Sequence, residues 1–129
     1  MSSTVTISIP RETGFAAVAG LVVGGMAARH DVTIDVLDDL QLALDALLEH
    51  GEEEDGEVSV VVTVERDTIE AAIGPVAGAT AAELEREPDE SLGLRRLLET
   101  VVDGLKVTDR DGKPWVELRK GYALAGADG

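Results

Sequence analysis

The chain has 129 residues, of which 44% are hydrophobic, and its 26 acidic and 11 basic side chains give a formal net charge of −15 at pH 7. This length fits one domain, and the hydrophobic fraction suffices for a core, which excludes a wholly disordered acidic tail. The sequence contains no cysteine, so disulfides, thiolate zinc sites and a cysteine nucleophile are excluded.

The acidity also restricts the class of partner. With an isoelectric point near 4.3, direct nucleic-acid binding is not expected, because lysine and arginine supply its sequence-independent affinity. Basic proteins are the expected partners. The acidic runs at 52–57 and 83–90 are typical of solvated loops and less often of docking faces.

Residues 14–28 form an uncharged stretch. It is shorter than the about 20 residues that a membrane-spanning helix needs. A signal peptide would lead from a basic start directly into the apolar run, whereas here a strand-like VTISIP and Glu12 come first. We therefore expect a cytoplasmic protein that does not enter a membrane.

The first half of the chain predicts one strand and two helices. Residues 4–9 alternate between polar and apolar side chains, which is the pattern of a half-buried strand. Apolar positions recur at helical spacing over 12–28, where three internal glycines require a close packing contact to offset their low helix propensity. A second helix, capped by Asp31 or Thr33, is expected to end at His50.

The middle of the chain predicts a hairpin and then a loop. Residues 57–65 and 68–73 are rich in β-branched residues and are separated by Arg66 and Asp67 alone, which favours an antiparallel hairpin. Residues 74–90 are rich in glycine, alanine and acid, and we interpret them as a long loop that can hold a short helical turn.

The last third predicts a helix followed by a second hairpin. Asp89 or Ser91 can cap a third helix that runs to about Asp103. Strands are expected at 105–108 and 113–120, joined by a turn that contains the Asp-Gly pair typical of hairpins. One domain, 1–120, is thus expected, followed by a flexible C-terminal tail, 121–129.

The order of these elements is β, α, α, β, β, loop, α, β, β. Because strands and helices do not strictly alternate, the order predicts an α+β fold. We expect a five-stranded, mostly antiparallel sheet covered on one face by three helices.

Four strings in this order resemble a known family. They are DDLQLALDALLEH, the hairpin VSVVVTV with TIEAAIGP, the segment SLGLRRLLETVVDGLKV, and WVELRK. Together they resemble the bacterial anti-sigma serine kinases of the GHKL (Bergerat-fold) ATPase superfamily. The resemblance runs from Val5 to Lys120 and implies a Bergerat/GHKL ATPase-like sandwich, a homodimer, and a sigma factor or a STAS-domain anti-anti-sigma protein as partner.

The family's first motif lies on a helix, where a glutamate acts as the general base and an asparagine four residues later helps to bind magnesium. The resemblance places Ala46 at the glutamate and His50 at the asparagine. A methyl group cannot accept a proton, and imidazole is a poor ligand for magnesium, which prefers oxygen. Both functional groups of this motif are therefore replaced.

Two further motifs bind the nucleotide in the family. Ile73 or Gly74 stands where an aspartate would bind adenine, and Gly78 is the retained glycine of the turn that follows. The segment Ser91-Leu92-Gly93-Leu94 keeps the second glycine and the leucine of a phosphate-binding helix start, with Arg95 adding positive charge. The degenerate nucleotide-site positions are therefore Ala46, His50, Gly74, Gly78, Ser91, Gly93, Leu94 and Arg95.

Structural interpretations exist for the same residues. His50 and Ser91 suit helix capping, and Gly93 suits a helix start. Asp45 and Glu49 lie four residues apart and fit a solvated helix face as well as a pair of catalytic carboxylates. Trp115 fits either the cover of a core edge or an anchor for a partner. No metal site is predicted.

The sequence leaves three functions open. The first is an anti-sigma-like regulatory protein that binds proteins and lacks kinase activity, with neither ATP nor Mg²⁺ as a cofactor. The second is an ATP-dependent serine kinase of a STAS protein, which would require ATP and Mg²⁺. The third is an acidic dimeric accessory protein without nucleotide.

Overall fold

The computed structural model describes residues 3–10, 16–29, 32–50, 57–65, 67–76, 78–85 and 93–121. They form an α+β fold, as the order of elements predicted. The elements are β1 (Ser3–Pro10), α1 (Ala16–Arg29), α2 (Ile34–His50), β2 (Glu57–Val64), β3 (Thr68–Gly74), α3 (Gly78–Glu85), α4 (Leu94–Val101), β4 (Gly104–Arg110) and β5 (Lys113–Gly121).

The five strands form one open sheet in the order β1-β2-β3-β5-β4. Every neighbouring pair is antiparallel, so the sheet is more regular than the mostly antiparallel one expected. β1 and β4 are the two edges. Residues alternate between buried and more exposed along β2, β3 and β5, because successive side chains of a strand point to opposite faces.

The described helices cover one face of this sheet. α1 packs on β1 and β2, α2 on β5, α3 on β4 and β5, and α4 on β4. The buried core between these layers is aliphatic, and burial of each such side chain stabilises the fold by about 1.5–3 kcal/mol. Its largest fully buried members are Leu40, Leu44, Ile69, Ile73, Leu98 and Leu118.

The region 74–90 is wrong as a mere loop. An eight-residue helix, α3, occupies Gly78–Glu85, so four helices are described instead of three. Thr80, Ala81 and Leu84 are buried on one side of it. The helix forms because that side packs on α4 and the sheet. Small residues gave a weak apolar pattern, which is why the sequence predicted a loop.

The third expected helix is shorter in the structure. It corresponds to α4, which starts after Gly93, whereas Asp89 and Ser91 lie outside the described residues. It stops at Val102, whose backbone turns extended with φ −120° and ψ 158°. Asp103, expected to be helical, instead accepts a hydrogen bond from the Gly121 N–H to its Oδ2 at 2.6 Å.

Both predicted hairpins are present. The Glu65 N–H donates to the Thr68 carbonyl at 2.8 Å and closes the connection between β2 and β3. Asp111 and Gly112 have φ of 55° and 78°, and two positive values in succession define the type I′ turn that Asp-Gly favours. The second hairpin is longer than expected at both ends of its first strand, and Gly121, expected in the tail, ends β5.

Local contacts at α2 fix this helix at its start and on the sheet. Thr33, one of the two expected caps, accepts a hydrogen bond from the Val36 N–H to its Oγ1 at 3.4 Å, whereas Asp31 lies outside the described residues. Lys120 Nζ lies 3.0 Å from Asp39 Oδ2 and links β5 to α2. Among the described helices, none combines the length and the apolar character that crossing a membrane requires.

Candidate functional site

The two positions of the first motif lie on α2. Ala46 is half-buried and packs against the core, so its methyl group has a structural role. His50 is the last residue of α2, and its side chain lies outside the described residues. Next to Ala46, burial raises the pKa of the Asp45 carboxyl above its usual value. This carboxyl is still exposed, which fits a position on the solvated side of the helix.

The positions of the adenine motif do not form a single turn. Gly74 is buried and ends β3, whereas Gly78 is exposed and begins α3. The space above Gly74 is filled by Trp115, because a Cβ at Gly74 would lie 2.2 Å from Trp115 Cδ2. Further along the chain, the Val76 N–H donates to the Pro114 carbonyl at 2.8 Å, which ties this segment to β5.

The predicted phosphate-binding helix start is the beginning of α4. Gly93 occupies the N-cap position with extended backbone and without a side-chain cap, and Ser91 lies outside the described residues. A Cβ at Gly93 would lie only 2.8 Å from Glu83 Oε1 of α3. Leu94 is half-buried against the core. The Arg95 Nε lies 3.5 Å from Glu99 Oε1, one turn along the same helix.

These helices share one layer. α4 packs against both α2 and α3, so the structure brings together the helices that carry Ala46, Gly78 and Gly93. Gly74 belongs instead to the sheet. Across the described ranges, no three histidine, aspartate or glutamate side chains come together in a way that could hold a metal ion.

The donor set here does not fit Mg²⁺ and ATP. Ala46 offers no base, Glu83 brings a negative charge to the helix start, and Arg95 is close to another carboxylate. Backbone N–H groups at a helix start favour an anion, and here a carboxylate of the chain itself is beside them. The arrangement favours a helix cap rather than a phosphate site.

A second feature, which the sequence reasoning missed, is the sheet face away from the helices, called here the open face. No described helix lies on it. Three rows of side chains cross it, as the strand register shows. The rows are Thr4, Thr63, Glu70, Arg119 and Gly104; then Thr6, Val61, Ala72, Glu117 and Lys106; then Ser8, Ser59, Gly74, Trp115 and Thr108.

The two halves of the open face differ in chemistry. On β1 and β2 the residues are small and neutral, and hydroxyl groups pair across the strands, Thr4 with Thr63 at 3.2 Å and Ser8 with Ser59 at 3.1 Å. On β3, β5 and β4 the face is charged. The boundary between these halves is a concave surface.

This concave surface, called here the sheet depression, has a volume of about 410 Å³. That size is within the range of small-ligand sites, about 300–1,000 Å³. Three cationic side chains and two carboxylates surround a small neutral floor. The lining residues on the open face are Val61, Thr63, Glu70, Ala72, Gly104, Lys106, Arg110, Glu117 and Arg119.

An aromatic stack lies beside the sheet depression. The Arg110 guanidinium carbon is 4.5 Å from the centre of the Trp115 ring, within cation–π range. Glu117 Oε2 accepts hydrogen bonds from Arg110 Nη2 and from Thr108 Oγ1, each at 3.3 Å. Trp115 thus lies on the open face against Gly74, rather than over a core edge on the helix side.

Strand periodicity could have indicated this site. Lys106 and Arg110 are four residues apart on one strand, and Glu117 and Arg119 are two apart on the next, so each pair shares a face. The turn fixes the register of that hairpin. The addition of β3 next to β5 was the missing information, because it depends on pairing between distant segments.

No protein-family model matches the chain, and a search of curated proteins finds no match either.

Proposed function

We propose that the chain is an anti-sigma-like regulatory domain that acts by protein–protein binding and does not transfer phosphate. The proposal combines the resemblance of the four sequence strings with the chemistry of the positions that would bind ATP. Its central observation is the position of Glu83 beside the start of α4.

Glu83 bears on nucleotide binding through charge. A triphosphate at the start of α4 would bring its negative charges close to this carboxylate, where like charges repel. A half-buried site screens that repulsion less than bulk water does. The chain therefore opposes the one interaction that Gly93 could still offer to a nucleotide.

The overall charge supports a basic protein as the partner. A net charge of −15 produces a negative field that accelerates encounter with a positively charged surface. In the resembled family the partner is a sigma factor, and a STAS-domain protein competes for it. For this chain we propose a sigma factor from the same genome as the partner.

The partner proposal is tested by titration of the full chain with the purified sigma factors of its genome. Association should be saturable and should weaken severalfold as KCl rises from about 50 to about 300 mM, because salt screens the charges. The control is a soluble basic protein of similar charge. If every sigma factor binds no better than this control, the partner proposal is wrong.

The loss of kinase activity is tested with Mg-ATP and a STAS protein. We expect neither heat of binding at millimolar nucleotide nor transfer of phosphate to serine. Glu83→Gln should raise the affinity for inorganic phosphate, whereas Glu85→Gln, on the exposed side of α3, should not. Phosphorylation of the STAS serine by the unmodified chain would overturn this part of the proposal.

A further inference from the structure

The sheet depression contains an excess of positive charge in a strongly acidic protein. Lys106, Arg110 and Arg119 outnumber Glu70 and Glu117 around it. A concave surface with one sign of charge focuses its field, so its local potential can differ from that of the molecule as a whole. The depression is thus suited to a ligand of charge opposite to the proposed sigma factor.

Two of these cations lack a partner within the described part of the chain. Arg110 is satisfied by Glu117 and Trp115, but Lys106 and Arg119 make neither an ion pair nor a side-chain hydrogen bond to another described residue. Glu70 faces Arg119 across the strands without forming such a pair. Both cations are exposed and can receive a carboxylate.

Gly104 determines where Arg119 lies. A Cβ at Gly104 would be 3.4 Å from both Arg119 Cβ and Nε, and 3.8 Å from its Nη2. The guanidinium therefore lies across β4 above this glycine, on the strand that also carries Lys106. Two positive groups at one edge of the depression repel each other, and an anion between them would remove that repulsion.

The remaining surface suits an extended peptide. The depression crosses four strands, which span about 14 Å at the usual strand spacing. Val61 and Ala72 give it a neutral, weakly apolar floor, with Thr63 as a hydrogen-bonding side chain. A long polyanion such as a nucleic acid would be repelled by the rest of the acidic molecule, whereas a short segment places few charges locally.

We infer that the sheet depression binds an extended acidic segment of a partner protein, with its carboxylates between Lys106 and Arg119. The choice of a protein segment rests on the proposed function, whereas the charge and shape of the site do not. The pairing would combine charge-assisted hydrogen bonds from Arg119 with apolar contact on the floor.

The test uses isotopically labelled full-length chain and a capped peptide of about eight alternating Glu and Ala residues. Amide chemical shifts on β4 and β5 should move saturably as the peptide is added. The double variant Lys106→Gln, Arg119→Gln should weaken binding about tenfold. The double variant Arg29→Gln, Arg96→Gln removes the same charge away from the open face and should weaken it less than about twofold.

Several results would overturn the inference. These are an equal loss in both double variants, shifts located on the helices, equal binding of a Gln-Ala peptide, or saturation by inorganic phosphate but not by the peptide. The amide spectra also report whether each variant remains folded. If sigma-factor binding persists while the peptide fails, the inference alone is wrong; if the peptide binds but no sigma factor does, only the partner proposal is wrong.

Discussion

Position 74 requires a glycine because an aromatic ring occupies the place of a side chain. A Cβ there would lie 2.2 Å from Trp115 Cδ2 and 2.4 Å from Cγ, closer than such atoms approach in proteins. The ring is rigid, and the Arg110 guanidinium lies over it. A substitution at Gly74 would therefore displace Trp115 and disturb the charged half of the open face.

We expect Gly74→Ala to lower the free energy of unfolding by about 1–3 kcal/mol, the usual cost of overpacking. Urea denaturation followed by circular dichroism measures it. The control is Gly25→Ala on α1, where a Cβ meets no atom within 4 Å. That change should raise the free energy of unfolding by about 0.5–1 kcal/mol, because alanine favours a helix.

A double-mutant cycle identifies the cause. In a Trp115→Ala background the Gly74→Ala change should cost less, because the opposing ring is absent. An unchanged cost would mean that backbone conformation, rather than the ring, demands glycine here.

Asp45 makes stability depend on pH. Burial raises the pKa of its carboxyl, so the folded state binds this proton more readily than the unfolded chain. The resulting stabilisation is complete below the unfolded pKa and is lost as pH rises through the folded pKa. Asp45→Asn should therefore stabilise the protein at about pH 7 and have little effect at about pH 3.

The measurement is urea denaturation of both proteins at the two pH values. Asp35→Asn is the matched control, since Asp35 lies in the first turn of α2, where a negative charge is favourable. It should destabilise the protein near neutral pH. Equal effects of Asp45→Asn at both pH values would contradict a role for its ionisation.

At the level of elements, local sequence signals predicted the strands and hairpins well. Asp111 and Gly112 adopt the turn that their residue types favour, and alternation located β2 and β3 to within a residue. α3 was missed because its buried side consists of small residues that resemble a loop. Its helical state depends on packing, which a short window of sequence does not contain.

The candidate site was harder to predict than the fold. Replacement of the base could be recognised at Ala46 from the sequence string alone. The proximity of Glu83 to Gly93 could not, because it depends on how α3 packs against α4. The sheet depression needed the order of four strands as well. Sites composed of distant segments are visible only once pairing and register are known.

β1 has the features of an edge that pairs with a second copy. Its eight residues carry no charged side chain, whereas the other edge, β4, carries Lys106, Asp109 and Arg110. Charges on an edge strand prevent edge-to-edge association. Over this edge α1 exposes Leu21 to 77%, so an apolar helix surface lies on the same side. We expect a homodimer formed across β1.

Thr6→Lys should weaken this dimer at least about tenfold, because it places a like charge on each side of a two-fold interface. Sedimentation equilibrium measures the dissociation constant. Thr100→Lys, an exposed change on α4, adds the same charge away from the edge and should leave it unchanged. A monomer at all accessible concentrations, or equal weakening by both variants, would rule out pairing through β1.

For the molecule as a whole, the excess of 15 negative charges opposes folding through self-repulsion. Screening by salt reduces this repulsion, since the Debye length falls to about 10 Å at 0.1 M. We expect the melting temperature to rise by about 5 °C between about 10 and about 300 mM KCl, equivalent to about 1 kcal/mol.

Choline chloride serves as the control for this salt effect. It screens charge as KCl does, but its large cation cannot occupy a small coordination site. Equal rises in the two salts support general screening. A rise in KCl alone would indicate specific potassium binding, and a fall in both would show that attractive ion pairs dominate the surface.

Trp115 also gives the protein an optical property. It is the sole indole in the sequence, and it lies on the open face beneath Arg110. Its fluorescence emission therefore reports from this one place, free of signal from other tryptophans. Any binding event that moves Arg110 or removes water from the ring would change the emission wavelength, so the unlabelled chain carries its own spectroscopic sensor for this surface.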